Sequence, residues 1–203
     1  MNNEIIEIQK NNAVAAYNAA REAGADSTMK VLEALFGKDM FKPKDVAERV
    51  KTFEDAVAEL GDEHPLIIQY REIFDNFLDG ASVSDSRDIV AYLKLRIICA
   101  ALNEGWEPKF TNGEYRYYPW FWLYTEQEIK DMDEKEKFDR QLIPTGDYET
   151  GYAGFASAYS SYAPSNTDAH IGSLLCLKSE ALAVYCGKQF IDLWADFSLI
   201  RHR

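Results

Sequence analysis

Residues 115–124 carry seven aromatic side chains in ten positions, with one proline and one arginine among them. Aromatic residues suit a pleated, half-buried surface, so this stretch is predicted as a strand. Alternation then puts Tyr115, Tyr117, Pro119, Phe121 and Leu123 on one face and Arg116, Tyr118, Trp120, Trp122 and Tyr124 on the other. Pro119 has no N–H to give a ladder, which predicts an edge strand or a bend. With both faces apolar, either both are covered or one is a binding surface. For Tyr118, Trp120 and Trp122 two expectations stand side by side. They are core aromatics of a small sheet under helices, or a ligand-binding row that stacks on sugars or bases or anchors a protein.

Everything before this stretch reads as helix. Residues 4–22 are alanine-rich and stop at Gly24; a second helix runs from Thr28, capped by Ser27 and ended by Gly37. From Pro43, the residues Val46, Val50, Phe53, Val57 and Leu60 draw one apolar stripe at 4-3-4-3 spacing. The stripe predicts a single helix over 46–60, with Lys51 and Asp55 as an i,i+4 pair. It serves ordinary packing or the seam of a homodimer. His64-Pro65 opens a further helix with a broad apolar face from Leu66 to Leu78, ended by Asp79-Gly80. His64 reads as a cap, not a metal ligand. The polar stretch 81–86 is the best boundary, with Asp85 as a cap, and divides a helical region (1–80) from an α+β region (81–203), unless the two form one continuous domain. The helix from Ser86 to Asn103 is apolar nearly all round between Ile89 and Leu102, as a central helix is, and Gly105 stops it.

After the aromatic stretch, Thr125 caps a charged helix from Glu126 to about Arg140, read as a solvated face. The Gly/Ala/Ser/Tyr-rich segment 144–175 is too long for a structureless connection. It is predicted as a strand over 152–162, a turn at 164–167 and a return strand over 171–177; an exposed Ser/Tyr-rich loop here is a second candidate surface. Ser179 caps a last helix whose face is Leu182, Tyr185, Cys186, Phe190, Leu193, Trp194 and Phe197. The fold class is therefore α+β: a helical N-terminal half, then a small antiparallel sheet packed on a central helix and a C-terminal helix.

A net charge of −12 over 203 residues repels nucleic-acid backbones and anionic membranes, so neither is expected as a partner. No apolar run reaches the ~20 residues that span a bilayer, and Met1-Asn2-Asn3-Glu4 lacks the order of a secretory signal. Cys99, Cys176 and Cys186 sit in apolar contexts, which predicts buried reduced thiols and a cytoplasmic protein. No metal-ligand spacing, P-loop, dinucleotide fingerprint or nucleophile elbow is present, so no catalytic residue, cofactor or metal is assigned. Two weak constellations remain. Cys176 or Cys186 with His170 would make a nucleophile and base, and Asp192 with Asp196 would make a carboxylate pair beside Trp194.

Five blocks of the chain resemble a known family: Val50-Lys51-Thr52-Phe53-Glu54-Asp55-Ala56; Ala101 to Pro108; Tyr117-Tyr118-Pro119-Trp120-Phe121; Leu175 to Ser179; and Ala183-x-Tyr185-Cys186-Gly187-Lys188-Gln189-Phe190. The family consists of uncharacterised proteins of gut Bacteroidetes and their phages or prophages. Where it often has an arginine before the Leu-Cys strand, this chain has Leu174. The resemblance implies a mobile-element context, with the host cytoplasm as setting if phage-encoded, and no activity. The functional expectation is a non-enzymatic module for a protein or glycan partner. The alternative is a hydrolase acting on a polar polymer through carboxylate acid/base chemistry.

Overall fold

The computed structural model describes residues 8–42, 45–74, 86–109, 111, 113–164 and 173–202. It is an α+β fold with a helical N-terminal half and one three-stranded antiparallel sheet. The chain forms two compact units, 1–45 and 46–203. The expected boundary at 81–86 lies almost wholly outside the described residues, Asp85 and the Asp79-Gly80 stop included; Ser86 precedes the central helix without a side-chain cap.

In the first unit, α1 (Lys10–Glu22) packs on α2 (Asp26–Phe36). Tyr17 stacks on Phe41 at 4.3 Å and donates its hydroxyl to Glu33 at 2.7 Å. Ile8 and Gln9 precede α1 as non-helical residues, so the helix starts later than the composition suggested. Ser27 is not the cap of α2: Ala25 holds that position without a side-chain bond, and Asp26 supplies a negative charge to the first turn. Gly37 ends α2 with φ +82°.

In the second unit, the predicted helix over 46–60 is two helices, α3 (Val46–Arg49) and α4 (Phe53–Leu60). The break is a capping box. Thr52 Oγ1 accepts the Asp55 N–H at 3.1 Å while the Asp55 carboxylate accepts the Thr52 N–H at 2.9 Å. Lys51 gives its main-chain N–H, not an ion pair, to Asp55. The stripe still turns one way: Val46 and Val50 are buried, and Phe53, Val57 and Leu60 pack against the same core. His64 caps α5 (Pro65–Ile73) through Nδ1, which accepts the Leu66 N–H.

Helix α6 (Arg87–Asn103) is central as predicted, with Leu95, Ile97, Ile98 and Leu102 at or near zero exposure. Each such side chain contributes roughly 1.5–3 kcal/mol by leaving water. The charged segment 126–140 is not one helix but α7 (Glu126–Asp131) and α8 (Glu134–Asp139). Thr125 caps the first, as expected, and Asp133 caps the second by accepting the Glu136 N–H at 2.7 Å. The last helix likewise divides at Phe190 into α9 (Glu180–Gln189), capped by Ser179, and α10 (Ile191–Ser198). Helix α9 packs on the sheet and α10 on α6.

The sheet has the order β1-β3-β2, with β1 Tyr115–Tyr124, β2 Ile143–Pro144 and β3 Gly154–Pro164. Strand β1 is an end strand, as Pro119 requires. Its register with β3 shifts between Trp120, opposite Tyr159, and Phe121, opposite Ser157; Ala158 is the extra residue of a bulge. The predicted return strand over 171–177 is absent among the described residues. Ser173–Leu175 is instead a turn of 3-10 helix, followed by a single bridge from Leu177 to Tyr117; the predicted turn at 165–167 lies outside the described residues. Tyr117 uses both its N–H and its C=O on Leu177. Backbone groups alternate along a strand, so the N–H that Pro119 lacks would have pointed to this same outer edge, where its loss costs no ladder bond.

Candidate functional site

Strand alternation puts Tyr118, Trp120 and Trp122 on one face, but the structure covers only one end of it. Tyr118 is 4% exposed and packs with Cys176 and Trp106, whereas Trp120 and Trp122 are 41% and 49% exposed. The expected trio is thereby corrected to a pair: the Ser173–Lys178 segment bridges the edge of β1 at Tyr117, and Cys176 packs on Tyr118. Asn103, at the end of α6, fixes that segment. Its Nδ2 donates to the Cys176 carbonyl at 2.9 Å and its Oδ1 accepts the Lys178 N–H at 3.0 Å. Arg116, on the same face, is fully buried.

Tyr159 completes the open end. It stands opposite Trp120 across the strand pair, is 48% exposed, and stacks on Trp120 with ring centroids 5.9 Å apart and planes 14° from parallel. Tyr159 lies on the central strand and Trp120 on the end strand, so Tyr159 supports Trp120 from the interior side of the sheet. Trp122 lies two residues along, roughly 7 Å at the usual rise of a strand. Tyr159 belongs to the segment expected as a second candidate surface. The sequence showed both surfaces but not the register that joins them.

The opposite face of β1 is core. Phe121 stacks on Phe155 at 4.7 Å and lies 5.7 Å from Trp194, while Pro119 meets Gly187 of α9.

The weaker constellations take structural roles or fall outside view. Asp196 accepts Arg201 Nε at 2.7 Å and the Tyr148 hydroxyl at 3.0 Å, while Asp192 is exposed. Burial and that bond to Asp196 push the Tyr148 phenol up to about 12. His170 lies outside the described residues. All three cysteines are free and buried. The Cys186 thiol beside it, and burial, push the Cys99 thiol well above its usual range; burial pushes Cys176 up to about 11. Such thiols are poor nucleophiles at neutral pH. Among the described residues there is no group of three or more His, Cys, Asp or Glu able to hold a metal ion, and no helix is long and apolar enough to cross a membrane.

No protein-family model matches the chain, and no curated protein or solved structure matches it at a significant level.

Proposed function

We propose that this protein is a non-enzymatic interaction module, phage- or prophage-related, whose open sheet face holds a protein or glycan partner. The observation that carries the reading is the exposed aromatic row of Trp120, Trp122 and Tyr159 on the β1–β3 strand pair. Tryptophan and tyrosine give large contact areas at low entropic cost and dominate the energetics of binding surfaces. Their rings also stack on the apolar faces of sugars. The net charge of −12 favours a neutral or basic partner over a nucleic acid. The block resemblance supports the mobile-element context, and three buried free thiols support a reducing, cytoplasmic setting.

The test compares the intact chain with a Trp120→Ser/Trp122→Ser variant on a glycan array and in pull-downs from bacterial lysate. The variant should keep the native circular dichroism and lose binding by at least about 30-fold, the loss of a hot spot worth ~2 kcal/mol. Equal binding by the folded variant, or no binding by either protein in both arms, defeats the reading.

A further inference from the structure

We propose that the outer edge of β1 beyond Pro119 takes an extended peptide segment of a partner protein as an added strand, one in which apolar and basic residues alternate. The proposal rests on the reading of Trp120, Trp122 and Tyr159 as a partner-binding face, and names the partner's class and conformation.

The main chain carries the argument. Strand β1 ends the sheet, so only one of its edges is paired with β3. Tyr117 turns its N–H and C=O to the outer edge, where Leu177 takes both, at 3.1 Å and 2.9 Å. Alternation then sends the N–H and C=O of Phe121 and Leu123 to that same edge, together with the Pro119 carbonyl. Their ladder partners agree. Ser157, opposite Phe121, sends its N–H away from β1 to the Arg140 carbonyl at 2.9 Å, and Phe155, opposite Leu123, pairs with Ile143 of β2. Among the described residues, no hydrogen bond reaches the Pro119 carbonyl or these groups of Phe121 and Leu123. Such a row is a template for a further strand.

The Leu177 bridge shows that the edge accepts one. Leu177 lies antiparallel to Tyr117 before Ser179 turns the chain into α9, and an added segment continues that line along residues 119–124. Folded proteins usually blunt a free edge with charges, prolines or bulges. From Trp120 to Tyr124 the edge strand has no charge and no proline, and the bulged residue is on β3.

Side chains select the sequence. Residues of the added strand opposite Trp120 and Trp122 share their face, and apolar ones pack on these exposed indoles. The net charge of −12 favours basic residues between them and tells against a second copy of the chain, which brings the same charge. A glycan meets the indoles, whereas a row of N–H and C=O groups at strand spacing is matched by a main chain.

The probe is an array of blocked peptides of about eight residues in which valine, tyrosine or tryptophan alternates with lysine or arginine. Versions with scrambled order, and versions with glutamate for the base, stand beside them. The full chain should bind the alternating basic peptides, and Trp120→Ser/Trp122→Ser should weaken this about tenfold or more. In the best binder, N-methylation of one alternate set of amides should weaken binding about tenfold or more and of the other set leave it unchanged, because an added strand turns one edge to β1. Amide hydrogen exchange of the free chain should be fast at Phe121 and Leu123 and slow at Trp122, and the peptide should slow the first two. Slow exchange of Phe121 and Leu123 in the dilute free chain overturns the proposal, as does slowing with protein concentration alone, which assigns the edge to a second copy. Equal binding of scrambled or acidic peptides, or tolerance of both N-methylated sets, also overturns it. Glycan binding that needs Trp120 and Trp122, without peptide binding, overturns the added strand and leaves the aromatic face as a partner site. Absence of both kinds of binding, or peptide binding that survives loss of both tryptophans, defeats the two readings together.

Discussion

Gly187→Ala tests how closely α9 packs on β1. A Cβ at Gly187 would lie 2.9 Å from Pro119 Cβ and 3.5 Å from Phe121 Cζ. Carbon atoms rest at about 3.5–4.0 Å, so helix and strand would have to part by roughly 0.6–1 Å at this point. Pro119 offers no flexible end to swing away, because the contacting atom sits on the strand itself. Overpacking of this kind costs about 1–3 kcal/mol. Against it stands a gain of about 1 kcal/mol, since alanine is the better helix former in the interior of α9. The net expectation is a loss of about 0–2 kcal/mol, where an open site would give a gain of about 1. Urea unfolding at unchanged m-value reads the sign directly. Pro119→Gly removes the opposing Cβ, so in that background the same Gly187→Ala substitution should become stabilising, and the double-mutant cycle should show coupling of about 1–3 kcal/mol. A higher urea midpoint for Gly187→Ala in the otherwise unchanged protein, or a cycle that closes to zero, refutes the packing described for this contact.

Tyr148 carries a pH prediction. Its folded-state pKa of about 12 lies above the ordinary value near 10, so its stabilisation is complete below about pH 10 and is lost as pH rises towards 12. The stability difference between the natural chain and Tyr148→Phe should therefore be flat to about pH 10 and shrink by roughly 2–3 kcal/mol by pH 12. Glu104 is hydrogen-bonded by Lys178 at 2.6 Å and by Arg49 at 2.7 Å, which hold its carboxyl below the usual range. Because the Glu104 side chain is 39% exposed, Glu104→Gln should cost only about 1 kcal/mol at pH 7. That difference should shrink as pH falls through the lowered carboxyl pKa, as a urea-unfolding series from pH 7 downward would show. Iodoacetamide at pH 8 should label none of Cys99, Cys176 and Cys186 in the native protein and all three in guanidinium, read by mass.

Local signals predict the long elements well and the breaks poorly. Strand β1 has its predicted ends, because seven aromatics between a turn and a threonine cap leave little freedom. Helix α6 is central because its apolar residues leave no polar face to turn to water. The divisions within 46–60, 126–140 and 180–198 escape a reading based on residue type alone. Apolar periodicity passes smoothly across the breaks at 50–52 and 190, and the first of these, like the break at 132–133, is set by a side-chain cap. Thr52 with Asp55, and Asp133 with Glu136, were readable as such caps; the turn at Phe190 carries no comparable signal. The candidate surface was legible in residue type and facing but not in extent. Tyr118 is covered because Cys176 packs on it, and Cys176 is held by Asn103, more than seventy positions away in sequence. Tyr159 stands beside Trp120 through a register that contains a bulge.

The central claim is that one face of β1 is sealed at Tyr118 and open at Trp120 and Trp122. Urea unfolding of Tyr118→Ala and Trp122→Ala, measured side by side, tests it most directly. Loss of the buried ring should cost about 3–5 kcal/mol, and loss of the larger but half-exposed indole about 1–2. Equal or greater destabilisation by Trp122→Ala would contradict the account, since it would place Trp122 in the core.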